Sequence, residues 1–571
     1  MSQAAVVVAG CWNIFLRAHR VLLFGRCAAR GLRFVNGCEA AWCASGCGYH
    51  STMTFRTRQR VCLPVLSRLA SPLRRLLAAG VLALSMPALL APAGLHAQSL
   101  PNLGGSDGEE LSPLMERKLG EQVMTSIRRD RDYLDDGVTV DFLNQFGGIL
   151  LASSPEARGD AGYDFFFFAV RDPSLNAFAL PGGFIGVHTG LVLAAQSESE
   201  LASVLAHEIG HVSQRHIARM IGNQKQDSLL PLAGLLVGLL AARTSPDLAG
   251  AAMMGGTGLA ASRQLSFGRD AEREADRLGL ALLNGSGFEV SGMVNFFGRL
   301  QAASRSRNDN LPSYLRTHPL TTERIADIEA RIRNLPYRQR VDSLDFLLVK
   351  ARLRVLQDDT PQGWRDAGTL LNEQLRQGNR LQVLGAKYGL AMIALRQADP
   401  ARAKGLLDEI EAELQRTPAL PESPAVRSLQ IDQKLAARDA AGAFTIANDA
   451  RQRFPLSRAI AMQYADCLMA KGDKEAAVAF LRDQAQLYRQ DAGVQRALAR
   501  AYAEQGKKAL QHMALAEYYA LSGALPAALE QLRIARAAAD ASFYDQAVID
   551  ARERELQAIW RDVMKQQQGK R

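Results

Sequence analysis

The chain has 571 residues, 48% hydrophobic, 22% charged and 6% aromatic, which excludes a collagen-like, wholly disordered or polytopic membrane protein. Its formal charge of +10 would suit an acidic partner such as nucleic acid, but residues 1–97 carry all of it, with eleven Arg, no Lys and one acid, Glu39. Residues 98–571 balance 57 basic against 57 acidic side chains and leave no basis for nucleic-acid binding.

Residues 53–97 read as an export signal. Arg56 to Arg75 form a basic region after Met53, an apolar run follows from Leu76 to Leu90, and small residues lead to a cleavage site after Ala97. Residues 1–52 hold five of the seven cysteines without the spacing of a metal site or a disulfide framework. They are expected to be a mis-called or disordered upstream extension ahead of a true start at Met53. The exported chain then keeps Cys467 alone and needs no disulfides. Its expected compartment is the periplasm.

Residues 98–335 alternate helical and extended signals, an α+β pattern. Leu114, Leu119, Val123 and Ile127 predict a helix over 111–129, and the aromatic run 163–170 predicts a buried strand. Pro181-Gly182-Gly183 predicts a turn between two short strands within 177–193. Leu201, Val204, Leu205, Ile209 and Val212 predict one continuous helix over 197–220, and another is expected over 271–283. Leu229–Ala242 is apolar but too short to span a bilayer. The segment 229–262 is expected to lie over a cleft as a lid or plug, with peripheral membrane contact and ordinary core as the alternatives.

The chemistry lies in His207-Glu208-Ile209-Gly210-His211. Two histidines at i and i+4 share a helix face and can bind one Zn²⁺ through imidazole nitrogens. Glu208, rotated by about 100°, lies beside the open coordination position, where it can act as general base toward a water activated by the metal. A third ligand is expected from Glu272-Arg273-Glu274-Ala275-Asp276, at the start of the later helix. Glu272 and Asp276 share one face and Glu274 the opposite one, so spacing leaves Glu272 and Glu274 both open. Asp276 could fix the tautomer of a ligating histidine.

These motifs resemble the M48 family of zinc metallopeptidases, whose HExxH and ExxAD patterns match His207–His211 and Glu272–Asp276. The matching extends over Asn176–His188, Glu198–His216 and Thr317–Leu320. The resemblance implies a zincin-like (gluzincin) catalytic domain with one Zn²⁺ held by His207, His211 and Glu272, and Glu208 as the catalytic base. It also draws attention to His318 as a candidate fourth ligand or gate. Zincins run an edge strand beside the active site, and Asn176, Ala177 and Phe178, or the strand 184–188, would supply it. His188 reads as structural, and His216 as a support for a ligand or a surface group.

Residues 340–565 change to Ala, Leu, Gln and Arg. Tyr464 and Leu498, Leu468 and Tyr502, and Gly472 and Gly506 share one common interval, the tetratricopeptide period. This predicts an all-α, tetratricopeptide-like solenoid whose concave face receives peptides or partner proteins. With the export signal and the repeats, the resemblance is to periplasmic members of the family. It implies an endopeptidase that degrades unfolded or misassembled outer-membrane proteins and assists their assembly at the outer-membrane barrel assembly machinery. The competing expectation is a repeat-based periplasmic scaffold or chaperone with a silenced or structural metal site.

Overall fold

The computed structural model describes residues 111–159, 161–222, 267–306 and 313–568, all within one compact unit. The extension, the export signal with its cleavage site at Ala97, and the 229–262 segment lie outside the described residues.

The first helix, α1 (Pro113–Ile127), begins with Ser112 accepting from the Met115 amide and buries Leu119, Val123 and Ile127. Leu114, expected on that face, is 81% exposed, because it lies in the first turn before the helix meets the core. A turn leads through β1 (Tyr133–Leu134) to α2 (Gly137–Leu151). β2 (Phe166–Val170), β3 (Ala177–Leu180) and β4 (Phe184–His188) follow, giving a sheet ordered β1-β2-β4-β3. β2 pairs parallel with β4, from Phe166 opposite Phe184 to Val170 opposite His188. β3 closes an antiparallel hairpin on β4, with Leu180 opposite Phe184. The expected Pro181-Gly182-Gly183 turn joins them. Gly182 and Gly183 have φ of 76° and 94°, and a Cβ on Gly182 would meet the Arg117 backbone at 2.6 Å, so only glycine fits.

After the short α3 (Thr189–Ala194), α4 (Glu198–Ser213) carries the HExxH motif. Ser197 caps it, and Glu198 and Glu200 sit in its first turn, where acidic groups complement the helix dipole. It is buried on every face: the sheet edge β3, α2 and later helices enclose it. The continuous helix expected to residue 220 breaks at Gln214-Arg215. Arg215 takes a φ of 52°, its guanidinium pairs with buried Glu116, and α5 (His216–Gly222) starts in a new direction. Then come α6 (Arg269–Gly285), α7 (Ser291–Ser306), the single turn α8 (Ser313–Thr317) and α9 (Thr322–Ile332).

The rest is helical. α10 (Leu344–Leu356) and α11 (Pro361–Gln377) are followed by the pairs α12 (Arg380–Arg396) and α13 (Pro400–Arg416), α14 (Pro424–Ala436) and α15 (Ala440–Arg453), α16 (Arg458–Lys471) and α17 (Lys474–Leu487), and α18 (Ala492–Glu504) and α19 (Lys508–Leu521). α20 (Leu525–Ala537) and α21 (Phe543–Gln568) end the stack. Gly472 and Gly506, the glycines one repeat apart, both take left-handed φ values at the inter-helix turns. Ala398 and Arg438 occupy the same conformation in the earlier pairs.

One apolar core runs from Leu111 through the sheet and α4 into the first repeat helices as far as Leu429. Beyond it the core splits into smaller clusters around Ile431–Cys467, Ala465–Ala514 and Ala516–Leu556, as expected where each repeat packs only on its neighbours. The catalytic and repeat regions are locked at α2. Arg352 of α10 forks onto Asp136 and also donates to the Tyr388 hydroxyl at 3.0 Å. Asp141 of α2 caps α16 by accepting from the Arg458 and Ala459 amides. No helix among the described residues is long and apolar enough to cross a membrane.

Candidate active site

The close approach of α4 and α6 creates the site. A Cβ on Gly210 would lie 2.9 Å from Ala275 Cα, and one on Gly279 would lie 3.1 Å from the His207 amide nitrogen. Glycine at those two positions and alanine at 275 let the helices touch along their backbones. That contact brings Glu272 to the histidine pair. His207 and His211 present their Nε2 atoms 3.0 Å apart. Glu272 Oε2 is 3.4 Å from the first and Oε1 3.6 Å from the second. One ligand atom each from His207, His211, Glu272 and His318 falls within 4.8 Å of the others, and all four residues are buried. Among the described residues this is the one such group that could hold a metal ion.

Each imidazole is supported from behind. His207 Nδ1 lies 2.9 Å from Asp276 Oδ1, close in distance although bent from the ring N–H direction. His211 Nδ1 meets His216 Nδ1 at 2.8 Å, and His216 Nε2 reaches Glu274 Oε2 at 3.0 Å. Burial lowers the pKa of His216, consistent with a neutral ring that accepts from His211 and donates to Glu274. Glu274 therefore points away from the histidine pair and steadies a support. The break at Arg215 is what returns His216 to His211, a placement that a continuous helix would not allow.

Burial also pulls His207 down, but the close carboxylates of Asp276 and Glu272 outweigh it and push this imidazole up to about 9. Glu272 is raised by burial and then brought well below the usual carboxylate range by His318 and His207. His211 is held well below its ordinary value by burial and by its histidine neighbours. The result is one neutral imidazole, one ionised carboxylate and one exchangeable proton, which a dication can displace.

A dication fits this donor set on three counts. Nitrogen and carboxylate ligands in a His₂Glu arrangement suit zinc. Both carboxyl oxygens of Glu208 are buried without a hydrogen bond beside the ligand atoms. The four converging ligand residues are all buried, so their donor atoms are already withdrawn from solvent around one point.

Among the described residues, the segment from α8 to the start of α9 packs against the site, with Phe267 beside it. His318 Nδ1 donates to Glu272 Oε1 (3.1 Å), and its Nε2 lies 3.4 Å from Glu208 Oε1. Tyr314 stacks on His318 at 4.6 Å, with its hydroxyl buried and unpaired. Phe267 stacks on His211 at 3.9 Å. Spacing arguments missed Tyr314, Phe267 and Arg324. The THP motif marked the segment but not the arginine that follows it in α9. β3, with Ala177 and Phe178, is the edge of the sheet and packs against α4. Asn176 precedes it and accepts from the His188 amide at 3.0 Å. His188 itself bonds Ser174 and lies 3.5 Å from Asp172, a structural setting.

A family model for peptidase family M48 matches residues 152–332, which contain every group just described. A beta-barrel assembly-enhancing protease from Yersinia pestis is 31% identical over 465 residues, 81% of this chain and 92% of that one. A relative from Vibrio cholerae is 38% identical over 272 residues, and the alignment spans 48% of this chain and about half, 55%, of that one. The crystal structure of yeast Tom70 aligns at a TM-score of 0.26 and 11% identity over 85% of this chain and 79% of that one, a superposition too loose to carry an argument. On the shared motifs, the matched domain and the near full-length relative, the chain belongs to peptidase family M48.

Proposed function

We propose that the protein is a periplasmic zinc endopeptidase that removes unfolded or misassembled outer-membrane proteins and assists their assembly at the barrel assembly machinery. The observation that carries the catalytic part is the buried convergence of His207, His211, Glu272 and His318, with the Glu208 carboxyl beside them making no hydrogen bond. The reading of client and compartment is supported by the name of the Yersinia pestis relative, a beta-barrel assembly-enhancing protease, and by the export signal expected from the sequence.

His207, His211 and Glu272 hold the zinc, which when bound supplies Lewis-acid polarisation of the scissile carbonyl and of a water. Glu208 takes a proton from the attacking water and passes it to the leaving amine. Asp276 and His216 keep the ring nitrogens turned toward the metal. An extended segment of client adds to the β3 edge at Asn176, Ala177 and Phe178, presenting its backbone along α4. The repeat face delivers clients as a tetratricopeptide-type surface.

His318 is the gate. Its contacts to Glu208 and Glu272 close the site at rest, and it must leave for a substrate to reach Glu208. A closed resting site also accommodates an assembly-assisting role in which proteolysis is withheld.

The test is cleavage of an unfolded outer-membrane barrel protein by the wild-type chain and by Glu208→Gln, with zinc content measured on both. Glu208→Gln should lower turnover by about 10²–10⁴-fold while keeping zinc. Wild-type turnover in that variant would end the catalytic assignment. His318→Ala should cleave faster than wild type, and an unchanged rate would remove the gate.

A further inference from the structure

We propose that Arg324 is a positioning residue for the metal site: it sets the orientation of Glu272 and His207 and ties the His318 turn to both. The inference rests on His207 and Glu272 being metal ligands.

Arg324 enters from the first turn of α9 and is 3% exposed. Nε donates to Asp276 Oδ2 and Nη2 to Oδ1, each at 2.7 Å. Nη1 donates to the Pro319 carbonyl at 2.9 Å and lies 2.5 Å from Glu272 Oε2, a close ion pair off the N–H axis. The guanidinium also sits 5.5 Å from the centre of the Phe297 ring. One rigid fork thus spans two carboxylates and a backbone carbonyl, a set that the single ammonium of lysine cannot reach together.

The consequences follow atom by atom. Asp276 Oδ1, held by Nη2, is the oxygen 2.9 Å from His207 Nδ1. The guanidinium therefore holds in place the carboxylate oxygen that lies nearest His207 Nδ1. Nη1 restrains Glu272 Oε2 and leaves Oε1 turned toward His211 and His318. The Pro319 carbonyl belongs to the residue after His318, so the same group pins the gate turn to the ligand carboxylate. Thr321, accepting from the Arg324 amide, fixes the start of α9 and with it the reach of the side chain.

The test measures zinc affinity by competition with a chromophoric chelator. It also records the visible spectrum of the Co²⁺-substituted protein, which reports ligand geometry independently of activity. Arg324→Lys and Arg324→Gln should each weaken zinc binding by about 10- to 100-fold and change the cobalt spectrum, with no rescue by lysine. The double variant Asp276→Asn/Arg324→Gln removes the buried charge with its partner and keeps the test readable if a single variant fails to fold. It should be weakened and altered alike. A folded Arg324 variant with wild-type zinc affinity and wild-type cobalt spectrum would overturn the proposal. Failure of the wild-type chain itself to bind zinc would instead sink the ligand assignment, and the proposal with it.

Discussion

The catalytic and repeat regions handle charge in opposite ways. Around α4 and α6 the ionisable groups His207, Glu208, His211, Glu272, Asp276, His318 and Arg324 are all buried and face one another. Along the repeats many ion pairs stand at the rim, as in Arg500 with Asp466, Lys474 with Glu504 and Arg533 with Glu530. Buried charges are costly to strand and therefore hold one another in a single geometry. Rim pairs contribute little to stability and leave a helical stack free to vary in sequence. One region is specified by polar contacts, the other by small side chains such as Ala443, Ala447 and Ala477 in the helix seams.

The joint between the regions departs most from this division, because Arg352 on the repeat side and Asp136 on the catalytic side form a pair whose side chains are each only 11% exposed. Asp136→Ala strands the Arg352 guanidinium and removes the cap of α2, and should destabilise by about 3–5 kcal/mol in urea unfolding. A loss below about 1 kcal/mol would mean that the joint behaves like a rim pair.

At the metal site, pH separates the two regions. A ligating imidazole must be neutral, and His207 is pushed up to about 9 without metal. Below that value zinc must displace a proton, so its affinity should fall about tenfold per pH unit from 9 toward 6, read by chelator competition. The sign reverses for the metal-free fold. The raised pKa stabilises it fully below 6.5, the ordinary value, and that contribution disappears as pH rises through 9.

Smaller effects belong to the repeats. Gly472 has a φ of 88°, and Gly472→Ala should cost about 1 kcal/mol. Arg438 already bears that strain at φ 60°, so Arg438→Gly should raise the melting temperature slightly. Arg500→Ala should change stability by less than about 0.5 kcal/mol.

Legibility in the sequence followed the same division. His207, Glu208 and His211 were readable because helical spacing fixes which side chains share a face, whereas spacing left Glu272 and Glu274 both open and the family resemblance favoured Glu272. Gly472 and Gly506 were readable because only glycine enters the left-handed turn without strain. Ala398 and Arg438 take that turn with no mark in their identity. The break at Arg215 was hidden because apolar periodicity continues across it through Ile217, which is buried as well. Arg324 was hidden because its partners Asp276 and Glu272 stand on another helix, and nothing in local spacing says that α9 folds back over α6. The shared core of α2 and α10 was hidden for the same reason.

Anomalous scattering at the zinc edge, from crystals grown with zinc, tests the metal site most directly. The expected result is one peak roughly 2.0–2.2 Å from His207 Nε2, His211 Nε2 and a Glu272 oxygen. The absence of a peak there, or a zinc bound elsewhere with Glu272 still paired to the histidines alone, would contradict the assignment.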